Sequence, residues 1–261
     1  MMATLRRDAL LVLAFSLSVA SAARAEGKAS DKARQLVDFD PAPLPAVRLP
    51  ATRPRVWFAA TDLPELRKRC QTTHKAHLDR IRQGVEDGNR RPGSRAFDLA
   101  FLYQMTGDAN HARQAIALAR EAKPFAWVEK NAKSVPCGDF YAGMADPLAC
   151  VFDWCNDQLT ADDRATIGGV LRAQLADGPY RTQFHVPWWM AHWLSNILAL
   201  FDAGIDDKLA NDHLAAYNRS LHQFTALADE IHADSAMGDY HHQYNHLMLP
   251  AEMWLRATGE N

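Results

Sequence analysis

Three histidines, two tyrosines and an asparagine crowd the stretch Ala236 to Pro250, AMGDYHHQYNHLMLP. Imidazole exchanges protons near neutral pH, and a phenol both donates and accepts a hydrogen bond, so these residue types suit proton transfer and the binding of a polar substrate. Tyr240 and Tyr244 are the candidate acid and base, with His241, His242 and His246 around them as candidate substrate-binding groups. His242 and His246 have the i, i+4 spacing of zinc-binding helices, but position 243 is Gln where the H-E-x-x-H pattern places its glutamate. No metal and no other cofactor is therefore expected.

A second unusual run, VPWWMAHWLSNILALF, extends from Val186 to Phe201. Read as a helix, it places Trp188, His192, Ser195, Asn196 and Ala199 on one arc of about 100°, with apolar residues over the rest. A helix apolar nearly all round is a buried helix, and a polar stripe along it faces a cavity. The alternative for His192 is a core histidine bonded to a neighbouring carbonyl. On the first reading His192 and Asn196 are candidate catalytic residues. Trp188 and Trp189 are then a candidate platform on which sugar rings stack.

The elements that must hold these residues read as helix after helix. Ser94 to Thr106, a run from Asp108, Ala145 to Leu159, Ala161 to Leu175, Val186 to Phe201, Asp207 to Ile231 and Tyr240 to Ala257 carry helical periodicity, and no long alternating strand is present. Asp62-Leu63-Pro64-Glu65 reads as a helix start, with Asp62 as N-cap and Glu65 completing a capping box. Arg55 to Phe58 reads as a short strand or an apolar anchor. Thr106-Gly107-Asp108 and Thr258-Gly259-Glu260 repeat one device, a helix ended by glycine before an acidic N-cap, and Gly204 with Asp206 is a looser copy. Repeated helix hairpins predict an all-α fold, an incomplete (α/α) toroid with an extended N-terminal lead-in. The last copy predicts a further helix beyond Asn261.

Residues 1–25 read as a signal peptide: Arg6 and Arg7, an apolar run from Ala9 to Ala20, then Ala23-Arg24-Ala25 before Glu26. The apolar run is too short to span a bilayer, so a periplasmic or secreted protein without a membrane anchor is expected. Residues 26–54 are proline-rich and extended, and 55–261 form the helical domain. The net charge of −2 gives no whole-chain attraction to nucleic acid or anionic lipid, and 48% hydrophobic residues suit a packed core. Cys70, Cys137, Cys150 and Cys155 match no zinc spacing, and export permits disulfides without fixing the pairing.

The chain resembles the N-terminal helical domain of the heparinase II/III-type and alginate-type polysaccharide lyases. The likeness covers most of the chain after Pro54 and is carried by three runs. They are Arg53-Pro54-Arg55-Val56-Trp57-Phe58 with Asp62 to Arg67, the turn Ala100 to Asp108, and Phe152-Asp153-Trp154 before Leu159-Thr160. The resemblance implies cleavage of an anionic uronate polysaccharide, alginate or glycosaminoglycan, by β-elimination. An inner-helix Asn or His neutralises the uronate carboxylate, and a tyrosine about fifty residues later acts as base and acid. His192 and Asn196 fall at the first place and Tyr240 or Tyr244 at the second; the family's paired asparagines are absent. It also implies a C-terminal β-rich domain that completes the cleft. Two other readings are a glycoside hydrolase on the same toroid, using Asp234 and Asp239, and a non-catalytic carbohydrate-binding module.

Overall fold

The computed structural model of the protein describes residues 44, 46–88, 90–123, 146–177, 187–231 and 241–259, and within these the side chains of all but 177, 187–189, 223–231 and 241–249. The described residues are all-α, with no strand. Their helices are α1 (Leu63–Gln71), α2 (Lys75–Glu86), α3 (Pro92–Thr106), α4 (Ala109–Ala119), α5 (Pro147–Trp154), α6 (Ala161–Asp177), α7 (Pro187–Leu200), α8 (Asp207–Ile231) and α9 (His241–Thr258).

Glycine turns stop the helices where periodicity places them. Gly107 has φ 75°, and its N–H donates to the Tyr103 carbonyl at 2.8 Å. Asp108 then opens α4 by accepting from the Asn110 N–H at 2.9 Å. Gly259 repeats the arrangement with φ 74° and a 2.8 Å bond to the Leu255 carbonyl. Only a residue without Cβ takes this left-handed conformation at little cost, which is why the three glycine turns were visible in the sequence. Thr160 and Asp163 form a reciprocal capping box that starts α6: the Thr160 N–H and hydroxyl both donate to Asp163, and the Asp163 N–H donates back to Oγ1.

Two local expectations are corrected and one choice between alternatives is decided. Asp62 stands at the N-cap position of α1 with Pro64 in the first turn, but its side chain makes no capping bond to α1 and Glu65 completes no capping box: a 3₁₀ turn over Ala60–Asp62 precedes the helix, the Asp62 carboxylate accepts from the Ala59 N–H at 2.9 Å, and Glu65 pairs with Arg69. The run Ala145 to Leu159 is not one helix. α5 ends at Trp154, Cys155 leaves the helical region, and a 3₁₀ turn follows over Asn156–Gln158. Arg55 to Phe58 is the anchor of the two alternatives, not a strand.

α3, α5, α7 and α9 pack successively side by side as one row, and α4, α6 and α8 cover it from the other side. The row is parallel. The Gln104 side chain at the end of α3 donates to the Trp154 carbonyl at the end of α5, Arg53 joins Asp153 on α5 to the Phe201 carbonyl just past α7, and Arg256 near the end of α9 reaches Asp62, just beyond the lead-in, at 2.9 Å. α7 is the central helix of its half, and every residue from Met190 to Leu200 is buried. α6 approaches the turn after α7 so closely that a Cβ at Gly168 would lie 2.8 Å from Ile205 Cγ1.

The lead-in crosses the ends of α3, α5 and α7 as a strap. Asp153, 1% exposed, accepts from the Arg53 guanidinium at 2.7 Å and from the backbone N–H groups of Arg55 and Val56 at 2.6 and 2.8 Å. Trp154 donates its indole N–H to the Val56 carbonyl at 2.9 Å. The buried Arg55 guanidinium donates to the Phe201 carbonyl and lies over the Phe201 ring, so two guanidinium groups occupy the carbonyl end of α7, where positive charge is favoured. The three sequence runs that carry the family resemblance thus meet at one place, and the place is architectural.

Candidate functional site

The two ends of the helix row differ in their connections. At the end where α3, α5 and α7 finish, the chain turns into the next helix through Gly107 and Asp108, through residues 155–160, and through residues 201–206. The residues between the helices at the end where α5, α7 and α9 begin, 124–145, 178–186 and 232–240, lie outside the described residues. Scaffolds carry function on the long connections and leave tight turns for structure. Of the residues singled out as catalytic in the sequence, His192 and Asn196 on α7 and position 244 on α9 belong to helices that start at this second end, while Tyr240 lies outside the described residues.

Its described centre is a buried polar cluster. Asp146 is the N-cap of α5, and Pro147 in the first turn supplies a fixed φ. One carboxylate oxygen, Oδ1, accepts from the N–H groups of Leu148 and Ala149 at 3.0 and 3.1 Å. The other, Oδ2, accepts from Asn196 Nδ2 at 2.7 Å and lies 3.7 Å from His192 Nδ1. The second N–H of the Asn196 amide donates to the His192 carbonyl at 2.8 Å. Asn196 is fully buried, and its Oδ1 meets no donor among the described residues. The amide orientation follows from the partners, because the reverse one would set Oδ1 against the Asp146 carboxylate.

This geometry refines the polar stripe. His192, Ser195 and Asn196 do share one side of α7, but the stripe lies against α5 and α9. The Ser195 hydroxyl donates to the Ala191 carbonyl and lies 3.7 Å from Met253 Sδ on α9. Both amide N–H groups of Asn196 are committed within the protein.

An aromatic nest fixes α9 against α7 and α8. The Trp193 indole N–H donates to His213 Nδ1 at 2.9 Å, so that nitrogen of His213 carries its lone pair. Trp193 meets the Tyr217 ring edge-on at 5.1 Å, and Tyr217 stacks on Trp254 at 5.4 Å. Burial pushes the Tyr217 hydroxyl far above the usual phenol range, which makes it a packing residue. The nest sets the line of α9, whose helical backbone begins at His241. Positions 242 and 246 share one face of that helix, and position 244 lies about 200° round from each. Tyr240 and the alternative carboxylates Asp234 and Asp239 lie outside the described residues, as do the side chains of Trp188, Trp189, His241, His242, Tyr244 and His246.

The sequence missed Asp146, although its signal was present: an aspartate and a proline ahead of an apolar helix. It also passed over Asp98, in the first half of α3, whose carboxyl burial pushes up to about 6 against the pull of Arg90, 2.7 Å away. Cys70, Cys150 and Cys155 are free buried thiols, held up by burial, and offer neither a disulfide nor a nucleophile; Cys137 lies outside the described residues. Among the described residues no three acidic, histidine or cysteine side chains gather as metal ligands, and no helix is long and apolar enough to cross a membrane.

A cleft of about 690 Å³ opens at the other end of the row, lined by Arg53, Arg67, Tyr103, Asp153 and Asp157 among others. Its polar groups are engaged with one another. Tyr103 donates to Asp157, and burial together with that carboxylate pushes its hydroxyl up to about 12, so it is no base at neutral pH. Arg67 donates to the Gln104 carbonyl at 2.7 Å. The cleft is the underside of the strap, and the buried cluster at the opposite end is the better candidate site. No known family model, curated protein or solved structure matches this chain.

Proposed function

We propose that the chain is a polysaccharide lyase acting on a uronate-containing polysaccharide, alginate or glycosaminoglycan, or the helical part of such an enzyme. The observation that carries the reading is that His192 is buried against Asp146 at the end of the row where α9, bearing Tyr244 and preceded by Tyr240, begins. Parallel rows of helix hairpins are consistent with an (α/α) toroid, and the leader-like residues 1–25 with export to the periplasm or beyond.

β-Elimination requires removal of the proton on C5, which lies α to the uronate carboxylate. The charge that develops on the carboxylate must be stabilised by a donor already in place. His192 is that donor. Asn196, with both N–H groups committed, holds the arrangement and does not itself meet the substrate through them. A tyrosine, Tyr244 or Tyr240, takes the C5 proton; the C5–H electron pair becomes the C4–C5 double bond, the C4–O bond breaks, and the leaving oxygen takes a proton from the same hydroxyl. Trp188 and Trp189 at the start of α7 stack the sugar rings, and the histidines at the start of α9 bind hydroxyl and carboxylate groups.

Incubation of the full chain with alginate and with a glycosaminoglycan tests the reading. Lyase action produces a C4–C5 double bond conjugated with the carboxylate and hence a new ultraviolet absorbance. New reducing ends without that absorbance would instead indicate a hydrolase, and retention of the polymer without cleavage a carbohydrate-binding module.

A further inference from the structure

We propose that Asp146 is a positioning residue that sets the tautomer of His192. The inference rests on the lyase reading for its chemical purpose but on geometry alone for its content. The carboxylate is fixed before any substrate arrives. Its Oδ1 is held by the first two free N–H groups of α5, and its Oδ2 by the Asn196 amide, which leaves one direction of Oδ2 open towards the His192 ring. The ring atom it faces is Nδ1, at 3.7 Å, just beyond hydrogen-bond length and within the range over which such contacts shorten when substrate binds.

A carboxylate accepts and cannot donate, so the ring atom facing it carries the proton. The neutral imidazole therefore bears Nδ1–H and has its lone pair on Nε2. This matters for either duty a lyase asks of the ring. Donation to a uronate carboxylate and exchange of a proton with the substrate both pass through Nε2, and both need Nδ1 occupied by a proton with a fixed acceptor behind it.

The substitution Asp146→Asn separates positioning from folding. Asparagine is as good an N-cap as aspartate, so α5 still starts at the same place. The introduced amide, however, turns its N–H groups towards Asn196 and His192. Asn196 can offer Oδ1 to that amide only by giving up its bond to the His192 carbonyl, while His192 accepts at Nδ1, which moves its proton to Nε2. Aspartate at 146 thus gives Nδ1–H, and asparagine gives the opposite tautomer.

The test is the ring-nitrogen NMR spectrum of the full chain with labelled histidine at about pH 8, above the ordinary imidazole titration. The His192 signals are assigned by their loss in His192→Gln. The expected result is a protonated Nδ1 and a bare Nε2 in the native chain, inverted in Asp146→Asn with its thermal midpoint kept. A native ring protonated on Nε2, or a tautomer unmoved by Asp146→Asn, overturns the proposal. If Asp146→Asn fails to fold, the native spectrum alone decides. The activity arm is separate: a loss of about 10²-fold in kcat with KM little changed is expected for Asp146→Asn where the native chain is a lyase. The predicted tautomers in a native chain without lyase activity would refute the lyase reading and leave the positioning role standing.

Discussion

Replacing Asp153 by alanine lowers the free energy of unfolding by about 3–5 kcal/mol, the cost of removing one partner from a buried ion pair. The carboxylate is almost wholly buried and is the shared acceptor for the Arg53 guanidinium and two backbone N–H groups of the strap. Truncation strands all three. The strap then loses its hold on α5, and Arg53 and Arg55 lose the geometry that brings them to the Phe201 carbonyl at the end of α7. Asp153→Asn keeps one acceptor and loses the charge, so its cost is smaller, about 1–3 kcal/mol. Denaturant unfolding of the two variants measures both. A loss below about 1 kcal/mol for Asp153→Ala would mean that the strap does not fasten the row. By contrast, breaking the exposed pair Lys208–Asp212 on α8 leaves the unfolding midpoint unchanged, because solvent screens it.

The second large effect is catalytic. Tyr244→Phe and Tyr240→Phe, made singly, remove a hydroxyl and little else, so a loss of product in either one reports chemistry. At least one of them lowers kcat by about 10²–10⁴-fold, the range for removing a general acid or base. The helical backbone from His241 separates the two candidates. Position 244 lies within α9, and position 240 precedes it in the sequence. Retention of full activity by both variants would remove tyrosine from the mechanism.

Much of the frame was legible in the residues. Glycine at 107, 204 and 259 announces left-handed turns because other residues avoid that conformation, and α8 runs over Asp207–Ile231 as its periodicity implies. Local signals failed where a side chain had a stronger partner than the expected one. Asp62 holds the N-cap position of α1, yet its carboxylate accepts from the Ala59 N–H in the preceding 3₁₀ turn and leaves the first N–H groups of α1 without it.

The site was less legible because its contacts are long-range. A helical projection correctly gathers His192, Ser195 and Asn196 on one side of α7, but it gives a direction and no partner. That the partner is the N-cap of α5, fifty positions away from Asn196, depends on how parallel helices pack. The commitment of both Asn196 N–H groups follows from the same packing. Asp153 shows the converse. The aromatic-Asp-Trp run was visible as a motif, while its work of anchoring the strap needed the contact with Arg53, 100 positions earlier.

The central claim is that the working end of the molecule is the one where α5, α7 and α9 begin. Titration of the full chain with a non-cleaved uronate oligosaccharide, followed through backbone amide shifts, tests it most directly. The account predicts shifts centred on Asp146 to Ala149, on the first turns of α7 through His192 and on the start of α9, with Gly107, Asp157 and Gly204 unmoved. Shifts centred on the cleft beside Arg53, Arg67 and Asp157 would contradict it.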